Sequence, residues 1–205
     1  MSDPGLELVG RLRDAVIDRA AVAAFLDGLS HAERVRATRS LGRAEQRRLY
    51  DAVGGFRPVG LADLVPPSVA DLATVRHYGR NTLPAFTHFE KRFCRPRGAD
   101  RSKPDRLYGF NFQTLSPLTG PGYFVARDVP GRPEVDIDYR ELPDERPPGW
   151  PRIASNERGL GRLVYGFMVD TLRRVSEHVT IGSAARNGRP LGSWFVLCRE
   201  DPIGA

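Results

Sequence analysis

Two carboxylates, Asp136 and Asp138, stand two residues apart in the stretch EVDIDYREL. On a strand that spacing turns both to one side and Val135, Ile137 and Tyr139 to the other. Paired carboxylates can hold a divalent cation or divide acid and base roles between them. They are also what the wet face of an ordinary strand carries. A histidine would have to complete such a site, and the chain has four: His31, His77, His88 and His178. No pair of them has the spacing of a helical zinc motif, so an enzyme built on Asp136, Asp138 and a histidine requires convergence in space. No GxSxG elbow occurs. Cys94 and Cys198 fit no metal or redox spacing, and Cys198, inside the apolar run WFVLC, reads as a small buried hydrophobe. No metal and no cofactor is expected.

Two glycine-rich stretches invite a phosphate-binding interpretation and fail it. In LSPLTGPGYFVARD (115–128), Pro121 removes a backbone donor between Gly120 and Gly122, and a strand pattern follows where a phosphate cradle needs a helix. A turn between strands fits better. In GLGRLVYG (159–166) the third glycine is wrongly spaced for a dinucleotide fingerprint and no strand precedes it.

Charge is more informative. Of 31 basic residues only Lys91 and Lys103 are lysines, and the formal net charge is +6. The segment 91–106 concentrates basic residues, and Arg92, Arg95, Arg97, Arg101 and Lys103 are candidates for contact with an anion or an acidic partner, protein or nucleic acid. Such a segment is equally a solvated loop. Aromatic residues alternate in LYGFNFQ, so Tyr108, Phe110 and Phe112 share one strand face. With Tyr123 they are candidates to line an apolar ligand pocket, the competing interpretations being plain core and a base-stacking platform.

The elements that must position these residues follow from hydrophobic period. Residues 5–54 read as short helices broken near Gly28 and Gly42, and Ser30 with Glu33 has capping-box spacing for a helix starting at His31. Residues 55–75, rich in Pro and Gly, read as a connector with room for one helical turn. Phe86, Phe89 and Phe93 fall at helical spacing and predict a helix over 82–93. Strands are expected over 106–115, 122–129 and 134–142, a helix over about 158–176, and a final hairpin about Asn187-Gly188.

These elements predict an α+β fold, in which a short helical N-terminal region (1–56) and a connector (57–75) lead into an α+β domain (76–205). That domain would hold a mainly antiparallel curved sheet with one or two packed helices. The absence of a signal-like segment and the unpaired cysteines suggest a cytoplasmic setting. The leading functional expectation is a non-enzymatic binding module for a small apolar or amphipathic ligand. The alternatives are an adaptor that uses the basic 91–106 segment and the carboxylate–histidine enzyme.

Overall fold

A computed structural model describes residues 3–84, 87–113, 120–156 and 165–201. Four short helices come first: α1 (Pro4–Arg13), α2 (Arg19–Asp27), α3 (His31–Arg39) and α4 (Arg43–Ala52). Each start has a local cause. Asp3 and Asp18 accept hydrogen bonds from the first free backbone amides of α1 and α2, at 2.7 Å to Gly5 and 3.0 Å to Ala20 and Ala21. At α3 the Glu33 carboxylate accepts from the Ser30 amide at 3.1 Å, as the capping-box spacing predicts. One further turn, α5 (Leu61–Leu64), lies inside the connector.

Eight strands follow: β1 (Val75–Asn81), β2 (His88–Cys94), β3 (Leu107–Phe112), β4 (Tyr123–Asp128), β5 (Val135–Asp138), β6 (Met168–Arg174), β7 (Val179–Arg186) and β8 (Arg189–Arg199). Each pairs antiparallel with the next, and β1 pairs with β8 from His77 opposite Arg199 to Asn81 opposite Phe195. The sheet is therefore a closed barrel with no free edge. This overturns the expected α+β fold with an open curved sheet, because closure depends on a pairing between strands more than a hundred residues apart. It also replaces two expected helices. Residues 88–94 form β2, not the end of a helix, and Phe86 lies outside the described residues. Residues 168–174 form β6, while 157–164 of the expected 158–176 helix lie outside the described residues. The expected hairpin between 106–115 and 122–129 is β3 paired with β4, and most of its turn, 114–119, also lies outside them. The Asn187-Gly188 turn joins β7 to β8 with positive φ at both positions, 50° and 73°, the geometry that this dipeptide tolerates.

The barrel interior is packed in its lower half. Val75, Phe93, Leu107, Phe124, Ala126, Val135, Ile137, Leu172 and Leu197 meet there, and Val59, Leu61, Leu64 and Val65 from α5 and its flanks close the end. Large rings fit because glycines face them. A Cβ on Gly109 would sit 2.3 Å from the Phe124 ring, and one on Gly182 would sit 2.2 Å from the Phe195 ring. Outside, two layers cover the wall. Helices α1–α4 bury Leu8, Leu12, Leu26 and Leu49 against Ile181, Val196 and Cys198. Across the barrel, Trp150 covers Tyr108, Phe110, Tyr123 and Val125. Among the described residues no helix is long and apolar enough to cross a membrane.

Candidate functional site

Above the packed half, the barrel holds a cavity of about 300 Å³. Its walls are largely apolar: Phe89, Tyr165, Met168, Ala184 and Phe195, with Leu83, Leu191 and Trp194 at the mouth. Ala184 lies where the β7–β8 register shifts between Ser183 and Ala185, an irregularity of the kind that opens space beside a site. Leu83, Phe112, Phe167 and Leu191 are exposed large apolar residues, and all lie at or just beyond strand ends on this same open end. Tyr165 stacks on Tyr139 with ring centroids 5.3 Å apart, and the missing side chain of Gly122 leaves it room.

The floor is polar and is assembled from four strands or their ends. Lys91 points inward from β2 between Phe89 and Phe93. The register places it opposite Asn111 of β3, and Asp170 of β6 opposite Ile137 of β5. Tyr139 follows β5. The Lys91 Nζ donates to Asn111 Oδ1 at 3.1 Å, to Asp170 Oδ2 at 3.1 Å and to the Tyr139 hydroxyl. Asn111 Nδ2 donates to the same hydroxyl at 3.0 Å, and that hydroxyl donates to Asp170 Oδ2 at 3.2 Å. The side chains of Lys91 and Asp170 are only 2% and 3% exposed. The rings of Phe89, Phe124, Tyr139 and Phe195 surround the amine, with centroids 4.8–5.8 Å from Nζ.

Burial sets the electrostatics. It lowers the Lys91 amine below its ordinary range and raises the Asp170 carboxyl above its own, while their mutual attraction opposes both changes. The same burial, with Asp170 beside it, raises the Tyr139 hydroxyl well above its usual range. One acceptor is unused. Asp170 Oδ1 is buried and has no hydrogen-bond partner among the described residues. A polar floor beneath apolar walls can orient one polar end of a small molecule, and an unpaired carboxylate oxygen offers it an acceptor.

The residues singled out from the sequence lie elsewhere. Tyr108, Phe110 and Tyr123 face outward and do not line the cavity. Phe110 packs 4.7 Å from the Trp150 ring, and their polar tips are held by Asp144 and by the Pro151 carbonyl. Phe112 is exposed beneath the Arg92 guanidinium, 3.9 Å from its centroid. Of the basic segment, Arg95 is fully buried and donates to the carbonyls of Val65, Pro66 and Val69, tying the connector down. Arg92 pairs with Glu90, Arg97 lies beside Glu145, and Arg101 beside Asp71. Lys103 is exposed in the same loop. Asp136 and Asp138 do share the outer face of β5, where they accept from Thr171 and Arg140. The histidines are dispersed. His77 lies inside the barrel against the Leu64 carbonyl, His31 and His178 are near Asp201, and His88 opens β2. Among the described residues no group of three or more His, Cys, Asp and Glu side chains could hold a metal.

Sequence reasoning missed the floor. Lys91 was legible only as one base in a basic segment. The signal that could have found it is the alternation Phe89–Lys91–Phe93, a charge in the middle of an inward-facing aromatic row. No protein-family model matches the chain, and no curated protein or solved structure is significantly similar to it.

Proposed function

We propose that the barrel is a binding module for a small amphipathic ligand, held with its apolar body between Phe89, Tyr165, Met168 and Phe195 and its polar end on the Lys91–Asp170 floor. The observation that carries this reading is the juxtaposition of an apolar cavity with a buried, hydrogen-bonded charge cluster at its blind end. A core serving stability alone gains little from a buried ion pair, since apolar residues of similar volume do as well or better. The cavity of about 300 Å³ stands at the low end of the roughly 300–1,000 Å³ typical of small-molecule sites, which favours a compact ligand over a long lipid. The apolar mouth residues Leu83 and Leu191 suit the passage of such a molecule.

The outer aromatic residues Tyr108, Phe110 and Tyr123 support the site from behind on this reading, and the paired arginines of 92–101 serve the loops that frame the barrel. The test is to fill the cavity. Ala184→Leu places added carbons in the space beside Asp170. Octan-1-ol binding, followed by Trp194 fluorescence at the mouth, is expected for the natural chain and lost in that variant at unchanged thermal stability. Equal binding by both chains places the ligand elsewhere and rejects the reading.

A further inference from the structure

Arginine is the chain's default cation: twenty-nine of its thirty-one basic residues are arginines. Of the two lysines, Lys103 is exposed in a loop and Lys91 is the cation at the cavity floor. The distinction is chemical. A guanidinium stays protonated in any protein environment and has no usable lone pair, whereas a buried amine gives up its proton and becomes a nucleophile. A structural ion pair at this position has no need of that property.

The surroundings suit that use. Burial disfavours the charged amine, the four ring faces and the Asp170 carboxylate only partly offset that cost, and Asp170 stands 3.1 Å away to take its proton. The Tyr139 hydroxyl contacts both groups and is itself positioned by Asn111. The free Oδ1 of Asp170 leaves acceptor capacity on the side of the pair that Lys91 does not use.

Resting on the cavity reading above, we propose that Lys91 captures a small apolar aldehyde or ketone as a Schiff base at the barrel floor. The Lys91 ammonium passes one proton to the Asp170 carboxylate. The freed nitrogen lone pair forms a C–N bond to the carbonyl carbon, and the carbonyl π pair moves to oxygen, which takes a proton relayed through the Tyr139 hydroxyl. The resulting carbinolamine loses its oxygen as water with a second proton, leaving a C=N bond to Nζ. The sum is amine plus carbonyl giving imine plus water, with no change of oxidation state. Hydrolysis by the reverse path releases the ligand.

The test uses the full chain carrying Lys103→Arg, an exposed substitution that leaves Lys91 as the one lysine. Octanal is added with sodium cyanoborohydride, which reduces the imine to a stable secondary amine, and peptide mass spectrometry locates the adduct, the mass of octanal less one oxygen. Octan-1-ol, which cannot form an imine, is titrated in parallel by Trp194 fluorescence and used as a competitor. The expected result is an adduct on Lys91, blocked by octan-1-ol and formed at least tenfold more slowly in Asp170→Asn. Octan-1-ol binding without an adduct on Lys91 overturns the carbonyl inference and leaves the pocket standing. An adduct on Lys91 that octan-1-ol does not block, or one confined to the α-amine, also overturns the inference. Failure of both molecules to bind or react overturns the pocket and the inference together.

Discussion

The outer face of β3 and β4 and the interior of the barrel each hold an aromatic cluster and do different things with it. Outside, Phe110, Tyr123 and Trp150 close on one another, and every polar tip is satisfied: the Trp150 Nε1 donates to Thr74 at 2.7 Å, and Asn156 donates to the carbonyls of Tyr123 and Tyr139. Inside, Phe89, Phe124, Tyr139 and Phe195 surround an amine, leave space above it and leave an acceptor of Asp170 unused. Aromatic density therefore does not mark a pocket. A buried charge under empty volume does, because that arrangement is costly as plain core and useful as a site.

The sharpest way to break this comparison is to remove one member of the inner pair. Lys91→Met leaves Asp170 buried without its cation and is expected to lower stability by about 3–5 kcal/mol in urea denaturation. Adding Asp170→Leu should restore more than half of that loss. If the double variant stays as unstable as the single one, the pair is structural to the barrel and the contrast between faces fails. On the outer face, Trp150→Ala is expected to cost about 3 kcal/mol through the cavity it leaves, while octan-1-ol affinity stays within about twofold. A large loss of affinity would show that the outer layer is part of the site.

The smallest effect separates two neighbouring buried bases of the interior. His77, the cross-strand neighbour of Lys91 with its Nε2 on the Leu64 carbonyl, is held neutral by burial, its pKa pushed down to about 3 from an ordinary 6.5. Below pH 6.5 the unfolded chain takes up a proton that the folded chain refuses, so stability falls with pH by about 1.4 kcal/mol per unit, or about 2 kcal/mol by pH 5. The variant His77→Gln should lack this slope. Parallel stability–pH curves for the two chains between pH 7 and 5 would show that His77 is not buried as described.

Local chemistry made part of this legible from sequence. The Ser30–Glu33 pair marked the start of α3, and Asn187-Gly188 marked the last hairpin, because each is decided by neighbours in the chain. The apolar runs at β3, β4 and β5 were readable for the same reason. β2 was not, since Phe89 and Phe93 are four residues apart, a spacing that lands on one face of a helix and of a strand alike. Met168 and Leu172 misled in the same way. The closing β1–β8 pair and the floor were beyond local reasoning. Lys91, Asn111, Tyr139 and Asp170 are spread over some eighty residues, and only strand register unites them.

Closure through β1 and β8 also has a consequence for how the chain reaches this state. Helices α1–α4 emerge before any strand during synthesis, yet the surface on which they pack, Ile181, Val196 and Cys198, belongs to β7 and β8. β1 likewise waits for β8. The helices can meet one another early, through Leu8, Leu12, Leu26 and Leu49, but the barrel wall that covers their apolar face is completed only when most of the chain exists. Such a topology folds slowly and exposes sticky intermediates, with the N-terminal helices as the surface most in need of protection before the ring shuts.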